Sequence, residues 1–235
     1  MLGLLVLLLV SWGLLFLFER KDLRAIGILP CPKHLIHWLL GMTLIVVFCL
    51  TLIGIETRIK TVEWNYQGLR FGLLLDAFVY HLRSALTEDL VFRGALLYLL
   101  IRRLGARWGI LLSAICFGIY HVFSYGITGE RWILIAYVIL ITGTTGWVWA
   151  YVFHKTRSIY LGLGLHIGYN LVMSCFYEAP LFGELLFSAI SSTELSEPGQ
   201  SFYTFFRGLF TPIATLATLV FLFRHPWFKA RNISE

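Results

Sequence analysis

The stretch Leu86-Thr87-Glu88-Asp89-Leu90-Val91-Phe92-Arg93-Gly94 decides how this chain folds and what it does. It places two acids and an arginine inside an apolar run, and similar runs fill most of the 235 residues. An ionised side chain near the centre of a membrane helix costs about 3 kcal/mol on insertion scales, and such residues usually serve a function. The stretch therefore predicts a functional site within a membrane domain.

The composition excludes a soluble domain of this size. Hydrophobic residues make up 58% of the chain and charged residues 14%, and several apolar runs approach the length needed to span a bilayer. The net charge of +6 does not indicate a nucleic-acid partner, because the basic residues form short clusters between apolar runs. The lipid bilayer is the expected environment.

The apolar runs predict an all-α, polytopic helix bundle, with residues 1–235 forming one integral membrane domain of about seven to eight transmembrane helices and an intramembrane active site. The segment 71–101 is too long for one simple crossing, and whether it is one helix or two stays open. The runs are 1–18, 37–55, 71–101, 108–125, 132–153, 159–177 and 206–223.

The basic clusters predict the orientation of the chain. Seven spans put all four clusters on one side, which is cytoplasmic by the positive-inside rule. The N-terminus is then outside and the C-terminus cytoplasmic, in what we expect to be a bacterial plasma membrane. Residues 1–18 lack a preceding basic region and a small-residue cleavage site, so we expect them to remain as the first span. The clusters are at 20–33, 102–107, 155–157 and 224–231.

The four cysteines predict neither a disulfide framework nor a thiolate metal site. Cys49, Cys116 and Cys175 lie inside apolar runs with no CxxC spacing, so packing is the simplest interpretation.

The acids of the opening stretch differ in their geometry on a helix. Asp89 and Arg93 are four residues apart and share a face, which is the spacing of an ion pair. Glu88 and Arg93 are five apart and diverge by roughly 140°. Glu88 therefore points elsewhere, and a carboxylate withdrawn from bulk water is suited to accept a proton from a water molecule near neutral pH. The alternative is a helix-end charge cluster with no catalytic role.

Two further polar pairs follow in later apolar segments. Phe117 precedes His121 by one helical turn, so its ring can pack beneath the imidazole and orient it. His166 and Asn170 share a helix face and present a ring N–H and an amide NH2 to one point. Two such donors can form an oxyanion hole, although the pair could equally hold helices together.

Glycines surround the second pair. Gly164 and Gly168 form a GxxxG pattern, to which Gly162 adds a small position, and together they predict close approach of a neighbouring helix.

Other polar and aromatic residues appear less informative. His81 and His154 are interpreted as interfacial, because they lie near Arg83 and Lys155 respectively. The tryptophans at 132, 147 and 149 are interpreted as aromatic-belt or packing residues.

The order Glu-Asp-x-x-x-Arg-Gly, Phe-x-x-x-His and His-x-x-x-Asn resembles the CPBP intramembrane proteases, which include the CAAX prenyl endopeptidases and Abi-like proteins. The resemblance covers about residues 85–172, the expected catalytic core. It implies that Glu88 and His121 activate water and that His166 and Asn170 stabilise the oxyanion. The family usually has a second Glu where this chain has Asp89, which affects the details of its contact with Arg93.

The resulting prediction is a glutamate-type intramembrane endopeptidase without a cofactor, with Asp89, Arg93 and Phe117 supporting the site. Its expected partner is a membrane-anchored or exported protein or peptide, because the site lies toward the outer leaflet on the predicted topology. Nothing in the sequence indicates a prenylated substrate in particular.

Two alternatives remain. In the first, zinc is bound by Glu88, His121 and His166, an acceptable ligand set, although the chain has no HExxH. In the second, the chain is a non-catalytic scaffold, immunity protein or transporter, although it lacks the internal repeat typical of many transporters.

Overall fold

The computed structural model describes residues 2–225. Within this range the chain is helical, which confirms the predicted all-α class. Two short strands, β1 (Glu63–Tyr66) and β2 (Phe187–Ser191), form one antiparallel pair, and Leu23–Ile26 form a 3-10 turn. The helices are α1 (Leu2–Glu19), α2 (Pro32–Ile59), α3 (Phe71–Arg93), α4 (Ala95–Ser124), α5 (Trp132–Thr156), α6 (Tyr160–Phe176) and α7 (Glu197–Leu222).

Five helical segments of the described chain are long and apolar enough to cross a membrane. The predicted count of seven to eight is therefore not confirmed. The difference has two causes. The helices α3 and α4 follow each other so closely that Phe71–Ser124 forms one continuous helical run, and α6 has only 17 residues.

The segment 71–101 consists of two helices. Helix α3 ends before Gly94, where an added Cβ would overlap the carbonyl of Leu90. Helix α4 then bends at Gly105, which has φ 80° and ψ 162°, a conformation that favours glycine. After this bend α4 returns along α3, and the Ser113 hydroxyl donates to the Phe92 carbonyl at 2.6 Å. The bend therefore brings the end of α4 beside the polar stretch of α3.

Helices α2 and α6 are in close contact and run parallel. A Cβ on Gly164 would overlap the Trp38 carbonyl, and one on Gly168 would overlap the side chain of Ile45. These contacts confirm the close approach predicted from GxxxG. Gly162 contributes nothing to it, because a Cβ there would meet open space.

Three of the basic clusters gather at one end of the bundle. Glu19, beside the first cluster, contacts Arg102 of the second at 3.4 Å, and Ser158, beside the third, donates to the Gly27 carbonyl at 3.3 Å. Most of the fourth cluster, 226–231, lies outside the described residues. These contacts show a shared end, and the assignment of that end to the cytoplasm stays a prediction.

Candidate active site

The predicted polar residues meet where α3, α4 and α6 pack together. Glu88 is on α3, His121 is near the end of α4, and His166 and Asn170 are on α6. His166 is the link between them: its Nε2 lies 3.7 Å from the Glu88 carboxylate, and it lines one cavity with His121 and Asn170. Three segments distant in sequence thus form one polar centre.

Asp89 and Arg93 form the predicted ion pair. The Arg93 Nη1 donates to the Asp89 Oδ1 at 2.7 Å, and both side chains are at most 3% exposed. The Arg93 guanidinium carbon lies 3.9 Å from the centroid of the Phe117 ring and 4.9 Å from that of Trp149. Aromatic faces attract a cation, so these rings hold the arginine beneath the site.

His166 lies between the two acids. Its Nδ1 is 3.3 Å from the Asp89 Oδ1, while its Nε2 faces Glu88. Each ring nitrogen thus faces a carboxylate oxygen, and the Nδ1 contact is the one within hydrogen-bond distance. Trp149 packs against the imidazole with a centroid distance of 4.4 Å. The orientation of His166 is therefore set by Asp89 and by an aromatic wall.

Within the described residues, Glu88 and Asp89 each have one oxygen without a donor, but Glu88 lacks the strong partners of the other Asp89 oxygen. Its Oε1 accepts a hydrogen bond from the Ser84 hydroxyl at 3.4 Å. Its Oε2 is buried and has no hydrogen-bond partner within residues 2–225, and the side chain is 14% exposed. A buried carboxylate oxygen without a donor is energetically costly. The Oε2 of Glu88 therefore has unused capacity to accept a hydrogen bond, beside the His166 imidazole.

The imidazole of His121 is held from two sides. Its Nδ1 lies 2.8 Å from the Phe117 carbonyl, an acceptor, so Nδ1 carries a proton. The Phe117 ring also packs against the imidazole edge to face at 4.4 Å. In the neutral imidazole this leaves the Nε2 lone pair available as a proton acceptor.

A cavity of about 190 Å³ adjoins the two histidines and Asn170. Helix α5 supplies the largest share of its walls, including Tyr137 and Trp149, and residues of α4 and α6 with Gly208 of α7 complete the lining. In the described part of the chain the Asn170 side chain has no hydrogen-bond partner, so its NH2 is available to a molecule in this cavity.

Sequence reasoning missed some residues around the site. Ser84 precedes Glu88 by one helical turn, a spacing from which its contact could have been predicted. The interfacial interpretation of His81 is wrong: it is 9% exposed and lies 2.8 Å from the Ser174 hydroxyl of α6. No sequence pattern links His81 with Ser174, because the two residues are 93 positions apart.

The predicted zinc ligands do not form a compact set. Within residues 2–225, no group of three or more His, Cys, Asp or Glu side chains is arranged to hold a metal ion. The imidazoles are instead oriented by Phe117 and Asp89. The zinc alternative stays a prediction, and the proposed mechanism uses only the side chains themselves.

These features define a class: an α-helical membrane protein with a carboxylate, two imidazoles and an amide at the junction of three helices. Residues 70–172 match the family model of the Rce1-like type II CAAX prenyl endopeptidases, a segment that contains Glu88, His121, His166 and Asn170. The match confirms, over this segment, the predicted resemblance to the CPBP/CAAX proteases, and the matched family is one of peptidases. No curated protein and no solved structure shows significant similarity to the chain.

Proposed function

We propose that the protein is a glutamate-type intramembrane endopeptidase. The observation that carries this proposal is the environment of Glu88, whose Oε2 is buried and without a hydrogen-bond donor while lying 3.7 Å from the Nε2 of His166. A purely structural carboxylate at this depth would be expected to have its oxygens paired. Asp89, the next residue, also has one buried oxygen without a donor in the described part of the chain, but its other oxygen is held by both Arg93 and His166.

In the proposed first step, Glu88 accepts a proton from water as the water oxygen attacks the peptide carbonyl carbon. The Nε2 of His121 accepts the second hydrogen bond of that water and orients it. General base catalysis by a positioned side chain typically contributes about 10²–10⁴ in rate. The product of this step is a tetrahedral intermediate with a negatively charged oxygen.

His166 and Asn170 are the proposed donors to that oxygen. Both line the cavity beside His121, and Asp89 sets the orientation of the imidazole. Each such donor is worth about 10²–10³ in kcat. The intermediate collapses when the carbon–nitrogen bond breaks, and the proton on Glu88 passes to the leaving amine.

The proposed substrate is a membrane-anchored or exported protein or peptide. The family model is named for prenylated CAAX substrates, but its match ends at residue 172, and no residue beyond it is tied to a prenyl group. The proposal therefore stops at a peptide bond near the membrane.

The proposed location is a bacterial plasma membrane with the N-terminus outside. Its support is the common end shared by three basic clusters. The 178–205 segment contains β2, which pairs with β1 at the opposite end of the bundle. Labelling of single cysteines in 178–205 with an impermeant reagent on intact cells should succeed. Labelling only after cell lysis would show that this segment is cytoplasmic and that the N-terminus is inside.

The test of function is quantitative terminal-peptide proteomics of membrane and secreted fractions. Cells with the native chain are compared with cells that express Glu88→Gln at an equal level. We expect a precursor to accumulate in the variant, with loss of one matching new terminus. Unchanged termini, with the native cellular function intact, would favour the non-catalytic scaffold. Stoichiometric zinc in active purified protein would favour the metal-dependent alternative.

A further inference from the structure

A second cavity lies on the other side of Glu88, and here it is called the α1 cavity. It has a volume of about 360 Å³ and is bounded by α1, α3 and α4. It shares no residue with the cavity that contains His121, His166 and Asn170. Its walls are Gly3, Leu4, Tyr80, Arg83, Ser84, Thr87, Glu88 and Tyr120.

The two carboxylate oxygens of Glu88 have different surroundings. Oε1 accepts from the hydroxyl of Ser84, which lines the α1 cavity, whereas Oε2 is buried toward the imidazole of His166. Glu88 lines the α1 cavity and His166 lines the other one, so this carboxylate and imidazole lie between the two spaces. A group in this position can take up a small molecule from one side and act on a second molecule on the other.

The α1 cavity has the polar groups that bound water needs. Six side chains of the α1 cavity end in a hydroxyl, guanidinium or carboxylate group, and a polar cavity holds water where each molecule finds two to four partners. At roughly 30 Å³ per water molecule, its volume admits several. The other cavity combines aromatic rings with two imidazoles, two threonine hydroxyls and the amide of Asn170, a set of groups that can contact both the side chains and the peptide groups of a substrate.

We propose that the α1 cavity is the route by which the hydrolytic water reaches Glu88, and that Ser84 is the positioning residue at its inner end. This inference rests on the proposed peptidase function. Water enters between α1 and α3, is handed from the Ser84 hydroxyl to the carboxylate, and meets the peptide at the junction with the second cavity. Separate entrances keep the peptide from blocking the supply of water.

Two glycines of α1 allow a substitution that blocks the α1 cavity and a matched control substitution. An added Cβ meets open space at both Gly3 and Gly13, so a large side chain is accommodated at either place. Gly3 lines the α1 cavity and Gly13 does not. The Glu88→Gln comparison identifies the peptide substrate. Turnover of that substrate should fall about tenfold or more in Gly3→Trp. It should stay native in Gly13→Trp. The KM should be unchanged in both, because the peptide cavity is not altered.

Ser84 variants test the positioning role. Ser84→Ala should lower kcat with KM unchanged, and Ser84→Thr, which keeps a hydroxyl, should recover most of the rate. A rate that follows side-chain size rather than the hydroxyl would overturn the role of Ser84. Full activity of Gly3→Trp, with Glu88→Gln inactive, would overturn the water route while leaving the peptidase standing. Activity in Glu88→Gln would instead remove the proposed function itself.

A labelling experiment tests the cavity without using catalysis. Ser84→Cys is placed in the full-length chain with the exposed Cys31 and Cys116 changed to Ser, since Cys49 and Cys175 are buried. A charged methanethiosulfonate should label this cysteine, and Gly3→Trp, but not Gly13→Trp, should slow the labelling about tenfold, the same decade expected in turnover. Reaction with an apolar maleimide but not with the charged reagent would show that lipid fills the α1 cavity, which would overturn the proposal.

Discussion

Two buried glutamates, Glu88 on α3 and Glu56 on α2, lie in apolar helices of the same bundle and have opposite surroundings. Glu56 is 7% exposed, and its Oε2 accepts a hydrogen bond from the Tyr177 hydroxyl. The Arg207 Nε lies 3.8 Å from the same oxygen. Glu88 has a buried oxygen with no donor in the described chain. The Glu56 carboxylate therefore has protein partners, whereas one oxygen of Glu88 has none among the described residues and can accept a further hydrogen bond.

The region around Glu56 ties together parts of the chain outside the family match. The Arg207 guanidinium stacks on Tyr177 at 4.2 Å from the ring centroid, joining α7 to the end of α6. Burial and the hydrogen bond to Glu56 raise the pKa of the Tyr177 hydroxyl, so this residue stays protonated and donates. The cluster of Glu56, Tyr177 and Arg207 therefore has the features of a structural lock.

The comparison shows that burial of a carboxylate does not by itself mark a catalytic base. Both glutamates are costly to bury, but only Glu88 adjoins an imidazole with one oxygen lacking a donor. At Glu56 the hydrogen bond from Tyr177 and the contact with Arg207 offset the free-energy cost of burial. At Glu88 only the Ser84 hydroxyl and a molecule bound between the carboxylate and the histidines could do so.

Replacing Glu88 by Gln should abolish its role as a base while preserving its shape. We expect kcat to fall by about 10²–10⁴, the range for loss of a general base. The melting temperature of the detergent-solubilised protein should not fall, because Glu88 has one weak hydrogen bond to lose. Turnover and thermal unfolding, measured on the same preparation, check this. A large drop in melting temperature would make Glu88 structural, like Glu56.

Replacing Arg93 by Met should destabilise the centre, since the Asp89 carboxylate would lose its cationic partner in a site where both are buried. Removing one member of a buried pair costs about 3–5 kcal/mol of the free energy of unfolding. The double variant Asp89→Leu/Arg93→Met should lose less than the sum of the single variants. Denaturant unfolding in detergent measures all three. Strict additivity would mean that the ion pair contributes no coupling.

Replacing Asn170 by Ala should lower kcat by about 10²–10³ if its amide holds the oxyanion. The KM should change little, because the bond is formed only in the transition state. Gln200→Ala removes an amide from an exposed position of α7 and serves as the control. Steady-state kinetics with the identified peptide would separate the two cases, and a rise in KM with native kcat would assign Asn170 to substrate binding instead.

Replacing Glu56 by Gln is the matched partner of the Glu88 experiment and should have the smallest effect. The amide oxygen can still accept from Tyr177, so we expect a loss of about 1 kcal/mol in stability, the net worth of a weakened hydrogen bond. The exposed fraction of Arg207, 40%, further limits its contribution. The kcat should stay native. A loss of activity comparable with that of Glu88→Gln would erase the distinction between the two glutamates.

Much of the helix pattern could be predicted because it depends on local properties. Long apolar runs, the Asp89–Arg93 spacing and the GxxxG pattern each reflect neighbours within one or two helical turns. The number of membrane-crossing helices could not be counted, since it depends on how Gly94 and Gly105 divide one helical run. The lock at Glu56 left no sequence signal, because Glu56 and Tyr177 are 121 positions apart.

For the site, the residue types, their order and their faces follow from the amino-acid sequence, because a helix repeats its geometry every 3.6 residues. The pairing of His166 with both acids, the wall of Trp149 and the two cavities around Glu88 arise only from packing. They depend on the angles at which α3, α4 and α6 meet, and those angles are set by contacts between segments far apart in the chain. Local spacing can therefore identify Glu88 as a candidate, and only the assembled bundle shows that one of its carboxylate oxygens has no hydrogen-bond donor within residues 2–225.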